Sequence, residues 1–275
     1  MSLTLSRKFV TTSIFGMASL FIGACGQDMA TSDIKVTNGM RITEDLFPAA
    51  VLLVSLTDEG QGICTGTFVN DYQVVTAAHC VIDFSEENPP LYYVELDADG
   101  KEAVAVSRAR TYVANPNYSL FRNGGVNGSD LAVLDFARNT APATASIASR
   151  SPAVGDDLTI VGYGNNHNFF GPDGRLTGSG SGEKRTGTNV ISSKSNGFIN
   201  FNGLPGSGYG VELGELVGSG SGDSGGPMFV DGELVGVTSG GGLSRTRSGL
   251  VSVSRYVDLN SRESRNFLNR VLDGE

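Results

Sequence analysis

Three features of the 275-residue chain predict a mostly β protein. It has 38 glycines, an aromatic content of 8%, and many short apolar runs separated by turn residues. Such runs bounded by glycine and polar clusters read as strands joined by turns. With 39% hydrophobic and 18% charged residues, the composition is that of a globular protein large enough for one large domain or two small ones. The net charge of −9 and the lack of a Lys/Arg cluster exclude a nucleic-acid partner. No internal repeat is visible.

Taken from the N-terminus, the chain opens as an export signal. Arg7 and Lys8 precede an apolar stretch from Phe9 to Ala24, too short for a comfortable transmembrane helix. IGAC, residues 22–25, resembles the lipobox of bacterial lipoproteins, which implies a lipidated Cys25; the alternative is an ordinary signal cut near Cys25 without lipid. An exported chain meets an oxidising compartment, so Cys64 and Cys80 are expected to pair and Cys25 is left over.

TAAHC, residues 76–80, follows the apolar strand-like run VVTAA and carries His79, one of two histidines. The other, His167, lies in NNHNFFGPDG and reads as part of a polar surface loop. SDLAVLDF, residues 129–136, places Asp130 at the head of a strand. LTIVGYG at 158–164 reads as a further strand, and the Ala/Thr/Ser-rich piece from Thr140 to Ser151 as a linker. SGSGDSGGPMFV, residues 219–230, puts Asp223 and Ser224 inside a glycine run; Asp231-Gly232 then reads as a two-residue turn leading into the strand ELVGV. A hydroxyl, an imidazole and a carboxylate are the three groups an activated serine nucleophile needs.

GDSGGP at 222–227, TAAHC and the SDLA-type motif, in the order His, Asp, Ser, resemble the trypsin/chymotrypsin family of serine proteases. VTNG at 36–39, Pro48, GICTGTFV at 62–69, VGYG at 161–164 and TSGGG at 238–242 extend the resemblance over most of the chain after residue 35. It implies an all-β fold of two antiparallel six-stranded Greek-key barrels, about 36–137 and 153–257. A C-terminal helix over about 258–272 is expected from Val257, Phe267, Leu268, Val271 and Leu272. Ahead of the protease domain at 36–275 stand the signal peptide at 1–24 and a lipidated linker or propeptide at 25–35.

The resemblance further implies a serine endopeptidase with catalytic His79, Asp130 and Ser224, an oxyanion hole from the N–H groups of Gly222 and Ser224, and a Cys64–Cys80 bridge. It needs no metal or organic cofactor. Its partners are protein or peptide substrates and an activating protease that cuts between Lys35 and Val36. The new Val36 ammonium would then pair with Asp223, a carboxylate expected to lack any partner before cleavage. Gly218, Ser239, Gly240 and Gly241 are the implied substrate-binding positions, with Ser239 also expected to bond Asp130. An uncharged Gly218 argues against strict Lys/Arg specificity. Two further readings stand: a protease-fold binding protein or adhesin without turnover, and an esterase acting on small substrates through the same residues. The chain is expected at the bacterial cell envelope, held by lipid, or secreted after activation.

Overall fold

The computed structural model describes residues 38–57, 60–82, 90–96, 103–121, 125–170, 176–205, 211–246 and 249–272. The export signal, Cys25, Lys35 and Val36 lie outside them. The first sheet runs, edge to edge, through Ala103–Arg108, Leu91–Leu96, Ala50–Thr57, Gly60–Phe68, Gln73–Thr76, Ala132–Asp135 and Thr111–Ala114, antiparallel throughout. Its two outer members are one bent strand. At the bend, Ala109 N–H donates to Leu91 O (2.8 Å) and Arg110 N–H to Asp135 O (2.7 Å), so consecutive amides serve opposite edges of the sheet. The sheet thereby closes into a six-stranded barrel with no free edge.

The second sheet closes in the same way. Its order is Arg185–Val190, Asp157–Gly162, Pro227–Val230, Glu233–Thr246, Gly249–Asp258, Phe198–Pro205 and Ser193–Ser195. Arg185–Val190 and Ser193–Ser195 are again two legs of one bent strand, joined where Ser192 N–H donates to Asn200 O at 2.9 Å. A short strand, Met40–Arg41, reaches across from the N-terminal side and pairs with Thr186 and Arg185. The Asp231-Gly232 turn forms as the sequence predicts, with φ of 52° and 80° between the paired Val230 and Glu233.

Inward-facing apolar residues fill each barrel: Leu53, Phe68, Val74 and Leu134 in the first, Ile199, Phe201, Met228 and Tyr256 in the second, none more than 1% exposed. The C-terminal helix spans Arg262–Leu272 and buries Phe267 and Leu268. It starts later than expected because Val257 stays in the strand Gly249–Asp258, opposite Val237, and Ser261 caps the helix by accepting the Ser264 N–H at 3.1 Å. Two other readings change. Residues 140–151 are not a free linker: Ala145 N–H donates to Phe68 O of the first barrel and Ala148 N–H to Leu234 O of the second, so the segment straps the barrels together. His167 opens a strand, His167–Phe170, which pairs with Leu176–Ser179. Among the described residues no helix is long and apolar enough to cross a membrane.

Candidate active site

His79 begins a single helical turn, His79–Ile82, directly after the strand Gln73–Thr76, and Asp130 sits two residues before the strand Ala132–Asp135 that pairs with it. That pairing brings the two side chains together. Asp130 is fully buried. One of its oxygens accepts the main-chain N–H of His79 at 2.9 Å. The other lies 2.8 Å from His79 Nδ1 and accepts the Ser239 hydroxyl at 2.6 Å. A carboxylate held on Nδ1 leaves the far ring nitrogen, Nε2, as the basic one. The imidazole is 21% exposed, so one edge of the ring faces solvent.

Ser224 arrives from the second barrel and is clamped by a residue of the first. Thr65 N–H donates to Ser224 O (2.8 Å), and Thr65 Oγ1 donates to Gly222 O (3.0 Å) while accepting the Tyr163 N–H (3.2 Å). Its carbonyl takes the Thr76 hydroxyl at 2.9 Å. The Cys64–Cys80 disulfide flanks the same place, with Cys80 Sγ 3.7 Å from Ser224 O. His79, next in chain to Cys80, is thus brought to the Ser224 loop. The donor atoms of Cys64, His79 and Cys80 lie within 4.8 Å of one another, but a metal would need thiolates and both sulfurs are held in the disulfide.

The glycine run follows from this clamp. A Cβ on Gly225 would lie 2.0 Å from Thr76 Oγ1 and 2.3 Å from Thr65 O, and Gly225 has φ of 82°. Gly222 has φ of 98°. Among the described residues, the N–H of neither Gly222 nor Ser224 donates a hydrogen bond.

Asp223 turns the other way, into the second barrel. Its oxygens accept the N–H groups of Gly164 (2.8 Å) and Gly220 (2.7 Å). The expectation that it lacks any partner is therefore corrected: two amides serve it. They do not replace a full counter-charge, and burial pushes its carboxyl up to about 6, against the pull of those amides and of Arg185. VGYG exists to admit this side chain, since a Cβ on Gly162 would lie 2.1 Å from Asp223 Oδ1 and one on Gly164 2.6 Å from its Cγ. Asn38 donates its amide to Glu212 O and Glu215 O at 2.6 and 2.9 Å, anchoring the chain at a point two positions after Val36 in sequence.

Gly218 and Ser219 pack against the face of the strand Gly249–Asp258 that carries Ser252 and Ser254, with Ser219 N–H donating to Ser254 Oγ at 2.8 Å. The hydroxyls of Ser252 and Ser254 are the side-chain groups that the described residues place there. Gly241 lies close to Val253 O, while a Cβ on Gly240 would meet nothing within 4 Å. Sequence reasoning missed Thr65, whose only signal was its place beside Cys64, and Arg255, which borders the cleft next to His79.

The family model described as Trypsin matches residues 37–260. Similar proteins include a trypsin of Phaedon cochleariae, 28% identical over 194 residues covering 65% of this chain and 68% of that protein. Trypsin-2 of Salmo salar is 26% identical over 222 residues, 77% of this chain and 86% of its own. A chymotrypsin of Phaedon cochleariae is 22% identical over 250 residues, 87% and 86% of the two chains.

Proposed function

Because the chain belongs to the trypsin family of serine proteases, we propose that it is an endopeptidase in which Ser224 is the nucleophile, His79 the general base and acid, and Asp130 the group that orients and stabilises the imidazolium. The observation that carries this reading is the fully buried Asp130 at 2.8 Å from His79 Nδ1. Ser224 Oγ attacks the peptide carbonyl and passes its proton to His79 Nε2. The C–N bond then breaks as that proton moves to the leaving amine. Water repeats the sequence on the acyl-enzyme and frees Ser224. The unused N–H groups of Gly222 and Ser224 receive the oxyanion, each worth roughly 3 to 4 kcal/mol to the transition state. The test is peptide hydrolysis by the wild type and by Ser224→Ala: turnover abolished in the variant supports the assignment, and retained turnover refutes it.

The uncharged Gly218 supports cleavage after uncharged residues, since a buried Lys or Arg side chain would find no carboxylate there among the described residues. For activation, the proposal is a cut between Lys35 and Val36 by a trypsin-like protease, after which the Val36 ammonium joins Asp223. A buried carboxylate pushed up to about 6, with Asn38 anchored beside Glu212 and Glu215, supports it. The protease domain of this reading is 36–275, preceded by an export signal and a linker lipidated at Cys25, so that cleavage also releases the enzyme from the bacterial envelope. N-terminal sequencing of the active soluble form should begin at Val36. Cys25→Ser should abolish membrane association, and unchanged fractionation would remove the lipid.

A further inference from the structure

The cleft beside His79, about 560 Å³, is also lined by a charged side chain that the mechanism does not use. Leu120, Val126, Val253, Gly240 and Arg255 line it along with His79. Gly240 and Arg255 are a cross-strand pair. Directly opposed residues present their side chains on one face of a sheet, so Arg255 rises into the space that a side chain at 240 would otherwise share. That space is open, since a Cβ on Gly240 would touch nothing.

Three observations bear on what Arg255 binds. Among the described residues it makes no ion pair. Its guanidinium lies over the ring of Phe198, 5.1 Å from the centroid, a stacking that steadies the group and leaves its N–H edge free. Finally, the net charge of −9 repels acidic ligands at long range, which makes an unpaired cation inside the cleft a local exception. A planar fork of N–H donors matches a carboxylate, which it can hold through two parallel hydrogen bonds.

We propose that Arg255 forms a carboxylate-binding subsite, so that the protease prefers peptides with Asp or Glu upstream of the scissile bond. This rests on the catalytic reading of His79 and Ser224 given above. A substrate strand advancing roughly 3.3 Å per residue past His79 brings the acidic side chain to Arg255 within about four positions of the cut. The apolar walls take the methylene stem of that side chain, and Arg255 takes its head.

The experiment compares peptides carrying Glu, Gln or Lys at each of the four upstream positions, cut by the activated wild type, Arg255→Gln, Arg255→Lys and Arg255→Glu. For the wild type, Glu at one position should raise kcat/KM about tenfold over Gln, through KM, and the advantage should shrink in high salt. Arg255→Gln should erase the preference, Arg255→Lys retain part of it, and Arg255→Glu turn it toward Lys at the same position. Equal cleavage of Glu and Gln peptides by the wild type, or an unchanged preference in Arg255→Gln, overturns the subsite. Fluorophosphonate labelling of Ser224 involves no upstream residue and should proceed at the same rate in all four proteins. An unlabelled wild type would overturn the catalytic reading itself.

Discussion

Two buried aspartates, Asp130 and Asp223, are treated oppositely by the fold. Asp130 faces the cleft, takes His79 N–H, His79 Nδ1 and the Ser239 hydroxyl, and so is bound to a group that can itself carry charge. Asp223 faces the second barrel, takes only the amides of Gly164 and Gly220, and has its carboxyl raised to about 6 by burial. A carboxylate next to an imidazole can respond to proton transfer at that ring. One held by fixed amides can only make its loop more or less stable. In the proposed mechanism the difference separates a residue of the chemistry from a residue of the loop that presents it.

Replacing each carboxylate's surroundings should break the comparison at different points. Asp130→Asn keeps the shape but favours the wrong tautomer of His79, and kcat should fall about 10⁴-fold with the fold intact by circular dichroism. Gly162→Ala drives a methyl into Asp223. It should distort the Ser224 loop and cost about 1–3 kcal/mol of stability as overpacking does, read as a lower Tm together with lost activity. Thr65→Val removes the hydroxyl that serves Gly222 O and Tyr163 N–H. Leaving those groups unpaired should lower stability by about 1–3 kcal/mol, measurable in urea, while Asp130 and His79 remain paired. Ser239→Ala should have a smaller effect, about fivefold in kcat/KM, because two donors from His79 stay on Asp130.

The least conspicuous effect is in pH. A carboxyl at 3.8 when unfolded and about 6 when folded binds more protons in the folded state between those values. Its contribution to stability is therefore greatest below about 4 and is lost as pH rises to about 6. Asp223→Asn should flatten that part of the stability profile in the uncleaved chain, whereas pairing with a new Val36 ammonium should remove it in the cleaved one.

Much of the site was legible because its signals are local. TAAHC, SDLA and GDSGGP are contiguous, and Asp231-Gly232 encodes its own turn through two residues able to adopt positive φ. What was not legible depends on contacts distant in sequence. Thr65 reaches Gly222 across 157 positions, and nothing around a single threonine announces that. Nothing in the sequence around Arg255 says that Gly240 stands opposite it. Each barrel's bent closing strand is set by neighbours on two edges, so no periodicity within residues 103–114 or 185–195 marks the bend. The helix start was misjudged because Val257 fits the apolar pattern of a helix as well as that of the strand it joins.

The central claim is that His79, steadied by Asp130, activates Ser224. Its most direct measurement is fluorophosphonate labelling of the trypsin-treated chain, with the adduct located by peptide mass spectrometry in wild type and His79→Ala. A single adduct on Ser224 in the wild type, absent from the variant, is the result predicted here. No adduct on the wild type, or one of undiminished yield without the imidazole, would contradict it.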